Sequence, residues 1–401
     1  MSLSYGRDLL AIPGPSVTPD RVLRAMHRAS PNIYEGELID LTASVIADLK
    51  RVARTGGEVA IYIGNGHAGW EAALANMLAP GDRALALATG RFGLGWAETA
   101  RRMGVEAEVL DFGFRAPADP ERLEARLRAD PERRIKAVLT VQTDTASSVR
   151  NDIPALRAAL DAAGHPALLA VDCIACLACD VFEMDAWGVD VMVAACQKGL
   201  MTPPGLAFTW HGARAEAARV DPRSAYWDWG PRTRPDVYYQ LFCGTAPTHH
   251  LYGLREALDM ILAEEGLENV WTRHAAFAGA VWAAVEAWSA GGALALNIAA
   301  PAARSHAVTT VRTGEGEAAR LRRWCETEAG LTLGVGLAGA GERDTSLFRI
   351  AHMGHLNPPM LLGALATIDA GLQACAIPHG PGALEAAARA IATAAPDRLS
   401  A

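Results

Sequence analysis

The chain has 401 residues, of which 51% are hydrophobic and 20% charged; 37 basic side chains against 45 acidic ones leave a formal charge of −8. That length and composition suit a globular protein large enough for two domains, and exclude a disordered or fibrous chain. A net negative charge without a basic block argues against nucleic acid or an anionic membrane as main partner.

The opening "MSLSYGRDLLAIPGP" puts charge ahead of a short apolar run that stops at Pro13-Gly14-Pro15, so no signal peptide is expected. From about residue 60 to 250, β-rich runs alternate with Ala/Leu-rich helical runs. "EVAIYIGNG" leads into the helix-like "HAGWEAALANML", which ends at Pro80-Gly81-Asp82. "RALALATG", "GLGWAETARRMG" and "EAEVLDFG" follow, then "KAVLTVQTD", "IPALRAALDAAG", "ALLAVDCI" and "VDVMVAAC". The strand-like runs are almost continuously apolar, as strands buried on both faces are, and the alternation predicts an α/β domain with a mostly parallel sheet.

Near residue 265 the texture changes. A long Ala-rich helix is expected through "AAFAGAVWAAVEAW". The strand-like "HAVTTVR", "LTLGV" and "LFRIAHMG" then alternate with the helix-like "EAARLRRWCETEAG" and "MLLGALATIDAGLQACA". This predicts a smaller α/β domain, closed by a helix in "ALEAAARAIATAAPDRLSA" with a frayed tip. The longest uncharged run, 287–303, contains Ser289, Gly291, Gly292, Asn297 and Pro301, and is no membrane span. Seven cysteines, odd in number and thinly spread, fit a reduced cytoplasm better than a disulfide framework.

Ligands of open α/β sheets bind beyond the carboxyl ends of strands, and four such ends carry signals. In "GNGHAGWEAAL" two glycines bracket Asn65 just before a helix, and a helix N-terminus attracts phosphate; a tight strand-to-helix turn would use the same residues. Phe92, in "ATGRFGLGW", can stack on a flat ligand or fill a core. Asp172 ends a run too apolar to expose it, which calls for a partner such as a protonated ring nitrogen, or else for a capping role. Lys198 follows an apolar strand, where desolvation frees the amine for a Schiff base; a surface lysine is the alternative. Taken together, an anion site, a stacking aromatic, a buried acid and a lysine are what pyridoxal 5′-phosphate requires.

At these motifs the chain resembles the class V, fold-type I aminotransferases, most closely the serine–glyoxylate and alanine–glyoxylate group. "GNGHAGWEAALANMLAPGD", "VDVMVAACQKGLMTPPG", "LYGLREAL" and "FRIAHMG" carry the resemblance, which spans nearly the whole chain. It implies an N-terminal arm (1–20), a large cofactor-binding domain (21–265) with a mostly parallel mixed sheet flanked by helices, and a small C-terminal α/β domain (266–401). Lys198 would form the Schiff base and shuttle the proton, and Asp172 would pair with the ring nitrogen. Ile174 would pack on one ring face and Phe92 stack on the other. Asn65, Gly66, His67 and Gln197 would hold the phosphate, and Thr145 would contact the cofactor. Thr245 matches a phosphate contact donated by a second subunit, which implies an obligate homodimer. Arg349 would grip the substrate carboxylate, with Gly14 and Tyr34 beside the substrate.

Three departures bear on substrate choice. "QTDTASSV" replaces "HNETSTGV", giving Gln142 and Ala146 altered neighbours. Phe242, Cys243 and Gly244 stand near Thr245, where relatives have a phosphate-binding Tyr. "SPNIYEGEL", with Tyr34 and Glu35, replaces a His-Arg pair.

Cys173, Cys176 and Cys179 have a spacing that a metal cluster could use. Small buried residues serve equally well there, and Cys196 beside Gln197 and Lys198 makes a poor fourth ligand, so no metal is expected. A cysteine desulfurase would need a mobile nucleophilic cysteine, whereas Cys325 sits in a helix-like stretch and Cys375 follows one, neither in a flexible Gly/Ser loop. The expected activity is transfer of an amino group from a small L-amino acid, serine or alanine, to a 2-oxo acid such as glyoxylate or pyruvate. A pyridoxamine–pyruvate aminotransferase and a non-catalytic binding protein are the alternatives.

Overall fold

The computed structural model describes residues 2–337 and 343–394. Its strands are β1 (Leu9–Ala11), β2 (Glu58–Gly64), β3 (Arg83–Ala88), β4 (Glu106–Asp111), β5 (Ile135–Val141), β6 (Thr143–Asp144), β7 (Val149–Arg150), β8 (Leu168–Asp172), β9 (Val191–Ala195), β10 (Gly205–His211), β11 (Ala295–Leu296), β12 (Val308–Arg312), β13 (Leu331–Leu337) and β14 (Arg343–Ala351). The first four helices are α1 (Asp20–Met26), α2 (Glu37–Ala53), α3 (Gly66–Met77) and α4 (Arg91–Arg102).

Seven strands form one sheet in the order β2-β10-β9-β8-β5-β3-β4. β3, β4, β5, β8 and β9 run parallel, and β10 lies antiparallel between β2 and β9. Every residue of β8 and β9 is buried, which is why both read as unbroken apolar runs with helices on either face. β10 has no counterpart among the sequence expectations. Its "GLAFTWH" follows Pro203-Pro204 directly, with no helix between it and β9, so the strand–helix rhythm does not reveal it.

A second sheet has the order β1-β13-β14-β12-β11 and a hydrophobic core of its own, built on helices Leu267–Ser289, Glu317–Ala329 and Pro358–Ala374. β1 comes from the segment read as an arm, and it pairs in parallel with β13, Leu9 opposite Leu331. The last described helix is Ala383–Ala394; the expected frayed tip lies outside the described residues. No helix among the described residues is long and apolar enough to cross a membrane.

The two sheets are tied together close to the ends of β8 and β9. Ser16 Oγ donates to the Lys198 carbonyl (2.7 Å) and Ser16 N to that of Gln197 (2.9 Å). Buried Asp180 accepts from Thr143 Oγ1 (3.1 Å), Ser305 Oγ (3.1 Å) and the His306 N–H (3.0 Å). Asn297 Nδ2 donates to the carbonyls of Ser147 (2.8 Å) and Phe114 (2.7 Å). Buried polar groups are tolerated here because each has partners from more than one element.

Gly199, next to Lys198, shows how closely this region is packed. A Cβ there would lie 2.1 Å from the Leu177 carbonyl oxygen and 2.9 Å from Cys179 Sγ. Overpacking against backbone costs about 1–3 kcal/mol, so Gly199→Ala is expected to lower the thermal midpoint. An unchanged midpoint would show that the 177–179 backbone yields and is no wall.

Candidate active site

Strand ends of the large sheet and the start of α3 enclose a cavity of ≈ 250 Å³. α3 contributes Asn65 at its cap, then Gly66, His67 and Trp70; α4 contributes Phe92. The end of β5 and the hairpin after it supply Val141, Thr143 and Thr145. Asp172, Ile174 and Ala175 come from the end of β8, Gln197 and Lys198 from the end of β9. A wider cleft of ≈ 470 Å³ beside β1 and α1 is a poorer candidate. Two of its arginines are committed to ion pairs, Arg7 with Asp20 and Arg21 with Glu256 and Glu264, and its lining includes neither lysine nor cysteine.

Asp172 is 3% exposed. Its Oδ2 accepts from Trp70 Nε1 (2.8 Å) and its Oδ1 from the Ile174 N–H (2.7 Å). Burial raises this carboxyl to about 7 despite both donors, and the nearby Asp144 pushes the same way. Among the described residues the group has two hydrogen bonds and no cation in direct contact. Lys198 Nζ donates to the Pro13 carbonyl. Burial, then the positive charge of Arg349, lowers the amine to about 8, with Asp172 and Cys179 opposing. A lysine so placed has a substantial neutral fraction near neutral pH, the form that attacks an aldehyde or takes a proton from carbon.

The expected phosphate turn is a helix start. The Asn65 side chain accepts the His67 N–H (3.1 Å), and the first-turn N–H groups of Gly66 and Ala68 have no carbonyl of their own helix to bind. A Cβ on Gly66 would lie 2.4 Å from Ile174 Cδ1, so glycine lets the isoleucine close the cavity floor. Among the described residues Gln197 Oε1 is buried without a partner. A planar cation carrying a phosphate would answer the acid and the helix start: Asp172 would gain its positive charge, and the start of α3 an anion. The residues present therefore fit pyridoxal phosphate.

Arg349, on β14, is 7% exposed and does not itself line the cavity. Its Nε donates to the Val335 carbonyl (2.7 Å) and its Nη1 to that of Thr145 (2.9 Å), whose residue does line it. Burial lowers the guanidinium to about 10, with Asp144 opposing. Gly14, with φ of +97°, packs so closely on Lys198 that a Cβ would meet Nζ at 2.4 Å.

Other expected residues stand elsewhere. Tyr34 is 83% exposed in a loop before α2, and neither it nor exposed Thr245 lines the cavity of this chain. Gln142 turns away from the cavity: its Nε2 donates to the Val181 carbonyl (2.9 Å) and its Oε1 accepts from Cys176 Sγ (2.8 Å). Ala146 is buried and Phe242 is a core residue. Cys173, Cys176 and Cys179 are buried thiols, each raised above its ordinary value by burial. Among the described residues no group of three or more His, Cys, Asp or Glu could hold a metal ion.

Sequence reasoning missed Trp70 and Asp144. Trp70 falls in the second turn from the Gly66 helix start, where its indole reaches Asp172 at the end of β8. Asp144 is the one acid in the buried "VQTDTASSV", and the resemblance drew attention to Thr145 beside it.

The model of the family described as Aminotransferase class-V matches residues 58–352. The serine–glyoxylate aminotransferase of Methylorubrum extorquens is 38% identical over 394 residues, covering 96% of this chain and 95% of that protein. The crystal structure of ureidoglycine–glyoxylate aminotransferase from Bacillus subtilis superposes with a TM-score of 0.86 at 25% identity, covering 97% of this chain and 99% of that one. That of pyridoxamine–pyruvate aminotransferase from Mesorhizobium loti gives 0.87 at 28% identity, covering 98% and 100%.

The raised Asp172 carboxyl makes stability depend on pH. Between the unfolded value near 3.8 and the folded value near 7, the folded cofactor-free chain binds more protons than the unfolded chain, so stability falls as pH rises. Asp172→Asn lacks this titration. The stability of the wild type relative to the variant should therefore decline from pH 4 to pH 8, by up to about 4 kcal/mol. Denaturant unfolding of both cofactor-free proteins measures it, and parallel pH profiles would show that Asp172 titrates normally.

Proposed function

The chain belongs to the class-V aminotransferases, and on that premise we propose that it moves the amino group of a small L-amino acid, serine or alanine, to glyoxylate, with pyridoxal phosphate held in the ≈ 250 Å³ cavity. The observation that carries this reading is that Lys198 and Asp172 line one cavity with the open N-terminus of α3. The relatives named for glyoxylate transfer support the acceptor.

Asn65, Gly66, His67 and Gln197 would hold the phosphate, Ile174 and Phe92 would enclose the ring, Thr145 would touch its edge, and Asp172 would pair with its nitrogen. When bound, the cofactor supplies an aldehyde that carries the amino group and a ring that takes up the electron pair of the broken Cα–H bond. Asp172 as the anion holds the ring nitrogen protonated, and the Trp70 indole N–H fixes the carboxylate plane. Lys198 Nζ removes the proton from the donor Cα as general base and delivers it as general acid. Arg349 binds the carboxylate shared by donor and acceptor through a charge-assisted pair; among the described residues its Nη2 has no partner. Ring and phosphate would take most of the cavity, which favours donors with short side chains. The M. loti relative makes pyridoxamine with pyruvate the second pair to test.

The working unit in this reading is a homodimer. Thr245 is exposed on a surface that also exposes Val237 and Tyr239, and Tyr34 and Ile63 are bare apolar groups of the same chain. A partner would cover them and bring Thr245 to its own site; light scattering should give twice the 42.4 kDa of one chain. Seven unpaired cysteines support the reducing cytoplasm as its compartment.

Protein loaded with pyridoxal phosphate should show a visible band that L-serine bleaches and glyoxylate restores. A band that no amine in a panel moves would leave a binding protein, and a chain that takes up no cofactor would sink the reading. Lys198→Ala should lose at least about 10³-fold in kcat, in line with positioned acid–base groups; residual wild-type turnover would remove Lys198 from its role. Arg349→Ala should cost about 2–5 kcal/mol in kcat/KM, and an unchanged KM and kcat would assign the carboxylate contact elsewhere.

A further inference from the structure

Two contacts leave the short hairpin β6–β7, and each ends on a residue that the proposed reaction needs. Asp144 is fully buried. Its Oδ2 accepts from the Phe92 N–H (2.8 Å) and the Gly93 N–H (3.1 Å), at the start of α4, and its Oδ1 accepts from the Ala146 N–H (3.0 Å). The backbone of Phe92 is thus clamped by a carboxylate from the neighbouring hairpin. The Phe92 ring stands edge-on to Trp70, with centroids 6.4 Å apart and planes at 65°, and Trp70 is the indole that donates to Asp172. One residue further on, the Thr145 carbonyl accepts from Arg349 Nη1 (2.9 Å).

The packing around this carboxylate is closed. A Cβ on Gly90 would lie 2.4 Å from Asp144 Cγ, so the acid fills the space that any side chain at position 90 would take. Burial raises this carboxyl above its ordinary value, and three backbone donors, the helix start and the positive charge of Arg349 oppose that rise. An asparagine could not replace it. Its single oxygen can serve the α4 donors or Ala146, and the amide nitrogen would then face an N–H at the other end.

We propose that Asp144 is a positioning residue for transamination: through α4 it fixes Phe92 against the cofactor ring, and through Thr145 it aims the Arg349 guanidinium at the substrate carboxylate. This rests on the pyridoxal-phosphate reading above. Acid and arginine sit on different sheets, so the bracket also joins the half of the site that holds the cofactor to the half that holds the substrate.

The test compares the loaded wild type with Asp144→Asn, Asp144→Glu and Gly90→Ala. Visible circular dichroism is measured per mole of bound pyridoxal phosphate, and KM and kcat are measured for the donor that bleaches the wild-type band. Asp144→Asn should still bind cofactor but with the ellipticity reduced to about half or less, since the ring has lost its fixed neighbour. Its KM should rise about ten-fold with a smaller change in kcat. Asp144→Glu, which restores the charge, should move both signals back towards the wild type. Gly90→Ala keeps the charge and displaces the carboxylate, so it carries the same test if Asp144→Asn does not fold. Ellipticity and KM both at wild-type values, whatever the change in thermal midpoint, would overturn the proposal, as would the failure of all three variants to fold, which would make the residue purely structural. A wild type that takes up no pyridoxal phosphate would sink the functional reading instead.

Discussion

The Asp172 carboxyl group is buried at the end of a strand that is itself covered on both faces, with two N–H donors and, among the described residues, no cation in contact. Most of the site follows from that arrangement. Trp70 is held on α3 with its indole turned to the acid, and α3 must lie flat on the sheet for the donor to reach. Gly69 permits this, since a Cβ there would meet Val193 Cγ1 at 2.6 Å. With the helix seated, its open first turn and the carboxyl group face one small space, and a ligand anionic at one end and cationic at the other answers both. The desolvation that makes Asp172 costly alone makes it effective once such a ligand is bound.

Lys198 is the complementary case. The same desolvation lowers its amine, and the Pro13 carbonyl accepts its N–H. The segment from Ile12 to Ser16 descends from the second sheet through β1 and then touches Gln197 and Lys198, so the second sheet contributes backbone beside Lys198 as well as Arg349 beside Thr145. A reaction that needs a fixed ring and a gripped carboxylate at the same time depends on how these two bodies meet, and the hairpin after β5 lies at their junction.

Not every altered residue of the hairpin segment reaches the cavity. Gln142 and Ala146 lie within the segment that departs most from the family pattern, yet Gln142 is engaged with Val181 and the buried thiols, and Ala146 is covered. The side chains of that segment that reach the cavity are Thr143 and Thr145. The three cysteines of "DCIACLACD" are explained in the same way: they pack the turn after Asp172, and Cys173 and Cys176 share Gln142 as acceptor.

The sequence by itself determined the α/β class, the strands that carry Asp172 and Lys198, and the helix start at Asn65-Gly66-His67. Those features are local: unbroken apolar runs, glycines at a strand-to-helix turn, and charged residues placed where charge is expensive. It also determined the family, because several motifs coincide along one chain. The tertiary structure alone decided the rest. β10 is antiparallel and sits between β2 and β9, which no period in the sequence announces. The pairing of Leu9 with Leu331 spans the chain, and so does the contact of Arg349 with Thr145. Trp70 and Asp144 gain their importance from residues 102 and 52 positions away, Asp172 and Phe92. Contacts at such separation are set by how helices and sheets pack, and a one-dimensional pattern carries no record of which buried polar groups will face each other.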